Sequence, residues 1–242
     1  MASTTAPSPV ALPRPLLAPA WHTEVLVLGM ISYSFLTARS RHDRMPLGRP
    51  GLYAFTICLE FLFVLYVFFG IRSRGFTLRQ LTGGRWTSIE DVLLDIGIAA
   101  GAWLSIMLLV GGIAIAMKLN SPEKVGELRK AISFMMPQSR LELGMWTALS
   151  ATAGICEEIV FRGYLQQQFA ALTGSMVAAI ALQAAIFGAS HGYEGWQRML
   201  LVAIMGVLLG VLAWWRKNLR PGMMAHAWQD LLAGWASRFF PH

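Results

Sequence analysis

Long apolar runs alternate with short polar connections along most of the chain after residue 20. Several runs approach the ~20 residues that a helix needs to cross a bilayer. The pattern therefore predicts an all-α fold, a polytopic transmembrane helical bundle of six to seven spans. The predicted spans are residues 21–37, 51–71, 96–117, 141–172, 175–190, 199–215 and 223–239. The first of them, with His22 and Glu24 near one end, fits either a span or a helix lying flat at the membrane interface.

The connections divide the chain into three parts. Residues 1–20 carry five of the prolines and predict a disordered or extended tail, because proline lacks the amide that a helix needs. This tail has no basic start and no clean small-residue cleavage site, so no signal peptide is expected. Residues 21–140 hold the N-terminal membrane helices with their polar connections. Residues 141–242 hold the helices that carry the candidate chemistry.

The polar connections differ in character. Residues 39–50 and 72–90 are basic, and the second of them has room for a short interfacial helix. Residues 118–140 are the longest polar stretch, which fits either a solvated loop or a surface helix that gates the membrane domain. Residues 192–197 are a second candidate gate. The long run that follows residue 141 is expected to stop at Gly174.

Composition supports an integral, multi-pass protein of the cell membrane. The chain is 55% hydrophobic and 14% charged, against about 25% charged residues in ordinary soluble domains. The net charge of +7 comes from Lys and Arg in the connections, where such residues set membrane topology. No basic run is interleaved with aromatic residues, so the lipid bilayer is the expected partner and nucleic acid is not.

Small residues and cysteines inside the runs predict packing. Gly97 with Gly101, and Gly206 with Gly210, have the four-residue spacing that lets membrane helices approach closely. The two cysteines both fall in apolar segments, so no disulfide framework is expected. Cys156 is interpreted as a packed small hydrophobe.

Two carboxylates and a guanidinium interrupt an apolar segment at residues 155–165. Residues 143–156 carry no charge, so Glu157 and Glu158 lie in or beside hydrocarbon. Charged side chains there are costly unless they are paired or line a wet cavity, and they are by default candidates for function. Glu60 is a further isolated carboxylate near the centre of its span, and it fits either a structural role or a place in the site.

Three residue pairs on three late helices share a four-residue spacing, which places both members on one helical face. They are Glu158 with Arg162, Phe187 with His191, and His226 with Asp230. Glu158 can form an ion pair with Arg162, whereas Glu157 lies about 140° around the helix from Arg162 and is left free. A free carboxylate in a low-dielectric cleft is suited to general-base chemistry.

The order Glu-Glu-x-x-x-Arg, Phe-x-x-x-His, His-x-x-x-Asp over residues 141–240 resembles the CPBP family of intramembrane proteases. That family includes type II CAAX prenyl endopeptidases and bacteriocin-processing and immunity proteins. The resemblance implies an intramembrane endopeptidase acting on a peptide or membrane protein. It assigns water activation to Glu157 with help from His191, and it places His226 and Asp230 around the oxyanion.

The same resemblance gives supporting roles to Glu158, Arg162 and Phe187. The last motif of the family often ends in asparagine. Asp230 therefore leaves open whether this position donates or accepts a hydrogen bond.

Three alternatives stay open from the residues. Two histidines with carboxylates are also a zinc-like ligand set, although no His-Glu-x-x-His motif is present and the expected cofactor is none. Intramembrane Glu, Arg and His residues also build proton relays in transporters. A non-catalytic protein could bind a peptide or a partner in the same cleft.

Overall fold

The computed structural model describes residues 15–39 and 48–237, and those ranges contain helices and no strand. Most of the predicted proline-rich tail, part of the first basic connection and the end of the last predicted span lie outside the described residues. The α-helices in chain order are α1 (Ala20–Arg39), α2 (Gly48–Arg72), α3 (Leu78–Thr82), α4 (Ile89–Ala116), α5 (Pro122–Ile132), α6 (Arg140–Glu158), α7 (Gln166–Thr173), α8 (Met176–Ala189), α9 (Trp196–Arg216) and α10 (Arg220–Ala236).

Two shorter elements connect these helices near the candidate site. A π-helical segment, Ile159–Leu165, joins α6 to α7. It begins directly after the two glutamates, and its wider turn is shown by the Gln166 amide, which donates to the carbonyl of Phe161 five residues earlier. Such segments occur often at functional sites. A 3-10 turn, Gly192–Glu194, separates α8 from α9.

Local sequence signals set most helix ends. Capping boxes begin α3 and α6, where the Thr77 and Ser139 hydroxyls accept from the backbone amide three residues later. Gly174 adopts a left-handed conformation with φ of 69° and ends α7, which confirms the predicted stop. The predicted helix over residues 141–172 is unbroken along the chain but contains the π segment, which the apolar pattern did not reveal.

Two predictions about the connections are corrected. Helix α4 begins at Ile89 and not at residue 96, because Ser88 caps it and the acidic first turn, with Glu90 and Asp91, suits a helix N-terminus. The solvated-loop alternative for residues 118–140 is wrong, since Pro122–Ile132 forms a helix capped by Ser121. The short helix expected in residues 72–90 is confirmed as α3.

The chain is an all-α membrane helical bundle. In the described ranges, α2, α4 and α9 are long and apolar enough to cross a membrane. Helix α8 is apolar but has 14 residues. Large apolar side chains such as Leu108 and Trp215 are about two-thirds exposed, as lipid-facing residues would be. The count of six to seven spans stays a prediction.

Packing around the two glutamates explains how the site is held. Helix α6 packs against α2 and α10, and α8 packs against α7 and α9. The predicted close approach is confirmed at Gly206, where an added Cβ would lie 3.1 Å from Ala184. It is wrong for Gly97 and Gly101, because nothing lies within 4 Å of a Cβ built at either position and that face of α4 is open.

Candidate active site

The seven residues singled out from the sequence meet where α6, α8 and α10 come together. Glu157 and Glu158 end α6, and Arg162 lies in the π segment. Phe187 is on α8, and His191 follows that helix directly. His226 and Asp230 lie one turn apart on α10. The structure thus brings the three motifs to one place, while the chemical role of each residue stays a prediction.

Glu158 is the centre of a buried ionic network. Its Oε1 lies 2.9 Å from Arg162 Nη1, as the four-residue spacing predicted, and 3.1 Å from His226 Nδ1. Both Glu158 and Arg162 are fully buried. The contact with His226 crosses from α6 to α10 and was not predicted. Because the carboxylate of an ion pair can only accept, His226 carries its proton on Nδ1, and its Nε2 faces the remaining carboxylates.

Phe187 supports this network through its ring. The Arg162 guanidinium lies over the ring, 4.3 Å from its centroid, in a cation–π arrangement. The rings of His191 and His226 meet the same side chain edge-on, with centroids 5.0 Å and 5.8 Å away. Phe187 therefore fixes the positions of a buried cation and of both candidate histidines.

Glu157 is less tightly held than its neighbour. Its Oε2 lies 3.6 Å from His226 Nε2, and this oxygen is buried without a hydrogen-bond partner among the described residues. The prediction that Glu157 is free of Arg162 agrees with the ion pair that Arg162 makes with Glu158. An unpartnered, buried carboxylate oxygen is suited to bind a water molecule.

His191 has one ring nitrogen committed to the backbone. Its Nδ1 lies 2.9 Å from the carbonyl oxygen of Phe187 and 3.3 Å from the Ser190 hydroxyl. A carbonyl only accepts, so Nδ1 carries the hydrogen and donates it. In the neutral ring this leaves Nε2 as an acceptor, which can take a hydrogen bond from a water molecule.

Asp230 is more exposed than Glu157 and His226, whose side chains are 15% and 3% exposed. Its side chain is 35% exposed, and its Oδ2 lies 3.6 Å from His226 Nε2.

Helices α6 and α10 are in close contact beside this residue. The Trp146 indole of α6 donates to the Asp230 backbone carbonyl at 2.9 Å. An added Cβ at Gly154 would lie 2.7 Å from Ala227. The two helices therefore touch closely, which sets the position of the α10 motif relative to Glu157.

Two cavities reach the glutamate. One of about 130 Å³, called here the apolar cavity, is lined mainly by apolar and aromatic side chains of α1, α2 and the π segment. The other, of about 400 Å³ and called here the charged cavity, includes Glu194, Arg198 and Asp230. Glu157 and His191 line both cavities. The two candidate residues for water activation thus lie where the cavities meet.

Four further residues at the site were not assigned to it from the sequence. Glu60 of α2 lines both cavities beside Glu157. Tyr193 lines both as well, and Glu194 forms a 2.8 Å ion pair with Arg198 on the wall of the charged cavity. The sequence does contain a signal for three of them. Glu60 is an isolated carboxylate in a predicted span, and Glu194 and Arg198 are an acidic and a basic residue at four-residue spacing. Neither signal by itself separates a functional residue from a structural one.

A metal site is not formed by the side chains as they stand. Over residues 15–39 and 48–237, no group of three or more His, Cys, Asp or Glu side chains is arranged to hold an ion. Cys156 is buried beside the glutamates, as expected for a packed small side chain.

Residues 139–232 match the family model of the Rce1-like type II CAAX prenyl endopeptidases. The matched segment, which is less than half of the chain, is similar to that family. The resemblance expected from the motif order is confirmed, and the Rce1-like domain includes all seven motif residues. No curated protein and no solved structure gave a match. The Rce1-like domain is CAAX-protease-like, and Glu60 and the rest of α2 lie outside it.

Proposed function

We propose that this protein is a multi-pass intramembrane endopeptidase of the cell membrane that hydrolyses a peptide bond with a water molecule activated by Glu157. The observation that carries the proposal is the meeting of Glu157 and His191 at the junction of two cavities, with His226 Nε2 3.6 Å from Glu157 Oε2. This arrangement supplies a base, an acceptor for water and a donor within one small volume.

Water activation falls to Glu157 and His191. Glu157 Oε2 takes a proton from water as the oxygen attacks the carbonyl carbon of the substrate. The free Nε2 of His191 accepts the second hydrogen of the same water and so orients it. Glu157 then returns the proton to the amine that leaves. Neither step needs a metal ion, which is the expected case for this site.

Stabilisation of the oxyanion falls to His226. Its Nδ1 is held by Glu158, so in the protonated ring Nε2–H is the donor available to a developing negative charge. Asp230 and Glu157 lie 3.6 Å from that nitrogen and favour the charged imidazolium. One preorganised donor of this kind contributes about 10²–10³ in rate. In this role Asp230 acts as an acceptor that holds the His226 ring in place, and it does not donate a hydrogen bond to the oxyanion.

The cavities suggest how a substrate lies. A peptide or membrane-protein segment that passes from the apolar cavity to the charged cavity would place one of its carbonyl groups beside Glu157. The apolar cavity would receive apolar side chains. Arg198 would give the charged cavity a cation at its wall, although Glu194 already pairs with it.

Cleavage by purified protein tests the proposal. A quenched library of membrane peptides is incubated with the wild type, Glu157→Gln, His191→Ala and the control Glu123→Gln, which alters an exposed glutamate of α5. Folding of each protein is checked by thermal melting. We expect Glu157→Gln and His191→Ala to fold and to lose cleavage, while the control cuts as the wild type does.

Two results would overturn the proposal. Full cleavage by Glu157→Gln would remove the assigned base. A wild type that binds peptides from the library but cuts none would favour the non-catalytic, peptide-binding alternative.

A further inference from the structure

Glu60 is a buried carboxyl group in the middle of α2, the helix that packs against α6. Its relative exposure is 9%. It lies outside residues 139–232, so no motif of the Rce1-like domain assigns it a role. A carboxyl group in the middle of a membrane helix costs free energy unless a neighbouring polar group pairs with it.

The neighbour of Glu60 is the candidate base. Both side chains line the apolar cavity and the charged cavity, and their carboxyl groups are close enough to interact. No Lys, Arg or His forms an ion pair with Glu60 in the part of the chain that the structure describes. Arg162, the buried cation nearest in sequence to Glu157, is engaged by Glu158.

A hydrogen bond between two carboxyl groups requires a proton on one of them, because an ionised carboxylate only accepts. Two carboxylates that share a site away from water do not both ionise. A hydrogen-bonded carboxyl pair therefore carries one proton and one negative charge. Glu157 Oε2 is buried and accepts no hydrogen bond from the described residues, which leaves it able to accept one from a water molecule.

We propose that Glu60 is a positioning residue for Glu157, and that the two carboxyl groups share one proton that holds the Glu157 side chain in its reactive orientation. The inference rests on the proposed function of Glu157. In the reaction, water gives one proton to Glu157 Oε2 as the new carbon–oxygen bond forms. That proton passes to the amine nitrogen as the carbon–nitrogen bond breaks. The shared proton stays between Glu60 and Glu157 and is not consumed.

Other titratable groups face the pair. They come from α10, the segment after α8, the π segment and α6: His226, Asp230, His191, Tyr193, Arg162 and Glu158. Arg162 and Glu158 compensate each other, and His226 lies between Glu158, Glu157 and Asp230. None of these groups replaces the proton that two adjoining carboxyl groups need.

Infrared spectroscopy tests the shared proton without any need for activity. Protein with ¹³C-labelled glutamate is compared as wild type, Glu60→Gln, Glu157→Gln and the exposed control Glu123→Gln. A protonated-carboxyl band that shifts with the label is expected in the wild type and the control, and both site variants should lose it or show it at a different frequency. An unchanged band in either site variant, or no band in the wild type, overturns the proposal.

Kinetics separate positioning from a merely structural role. Glu60→Leu is expected to lower kcat about 100-fold with KM unchanged, because a misplaced base costs about that factor. Glu60→Gln should restore part of the loss, since its amide N–H can donate to Glu157 where leucine cannot. Full activity of Glu60→Leu, or an effect on KM alone, would overturn the positioning role. If the wild type cuts no peptide, the proposed function fails while the infrared result still decides the shared proton.

Discussion

Glu158 accepts a hydrogen bond from His226 Nδ1 at 3.1 Å, and this contact joins the last residue of α6 to the middle of α10. The carboxylate that pairs with Arg162 is therefore also the group that orients the proposed oxyanion donor. The supporting role that the resemblance implies for Glu158 would therefore include orienting His226. Under the proposed mechanism, the stability and the reactivity of this site depend on the same oxygen, Glu158 Oε1.

Replacement of Glu158 by glutamine should lower both stability and activity. Arg162 would be left buried without its counter-charge, and breaking a buried pair from one side costs about 3–5 kcal/mol in the free energy of unfolding. Hydrolysis should also fall, because His226 loses the acceptor that fixes its tautomer. Unfolding in detergent and cleavage assays measure the two effects.

The matched control for that substitution is Glu127→Gln, which breaks the exposed pair with Lys124. Exposed pairs are worth about 0–1 kcal/mol, so little change is expected. If Glu158→Gln were as stable as this control, the buried ionic network would contribute little to the free energy of unfolding.

His226→Gln should lower kcat by about 10²–10³, the usual contribution of one donor to an oxyanion. His22 of α1 provides the comparison, because it is also buried and contacts the Tyr164 hydroxyl at 2.9 Å and the Tyr66 carbonyl at 3.0 Å. His22→Gln should reduce stability while each folded molecule retains its rate. Equal losses of rate in the two variants would argue against a specific role for His226.

Two glycines of α6 should respond in opposite ways to alanine. Gly154→Ala places a methyl group 2.7 Å from the Ala227 backbone amide, so α10 must shift and stability should fall by about 1–3 kcal/mol. The shift also moves His226 away from Glu157 and should reduce cleavage. Gly144 has nothing within 4 Å, and Gly144→Ala should be neutral or stabilising by up to about 1 kcal/mol. Thermal melting and cleavage of both variants test this contrast.

Chelation should leave cleavage unchanged. Nδ1 of His226 is committed to Glu158, and Nδ1 of His191 is committed to a backbone carbonyl, so only Nε2 of each ring could bind an ion. The measurement is activity of purified protein after treatment with a chelator and after readdition of zinc. Loss of activity on chelation with recovery specific to zinc would establish a metalloprotease in place of the metal-free mechanism.

Much of the local structure at the site follows from sequence spacing. Residues four apart share a face because a helix has 3.6 residues per turn, so the pairs Glu158–Arg162 and His226–Asp230 could be placed without coordinates. The helix end at Gly174 was also predicted, because the hydrogen bonds of such a stop form within a few residues. The start of α4 was missed, since a count of apolar residues ignores a capped polar first turn.

The sequence by itself determined a helical membrane protein, the three motifs and the face that His226 shares with Asp230, since all of these depend on short-range periodicity and on the cost of charge in hydrocarbon. The shared helical face predicted for Phe187 and His191 is wrong, because α8 ends at Ala189. Only the tertiary structure decided that Glu158 reaches His226, that Glu60 meets Glu157, and that Gly206 is packed while Gly97 is open. The physical reason is that these contacts join helices far apart in the chain. Which helices become neighbours depends on the packing of whole surfaces, and the period of one helix carries no information about its partner.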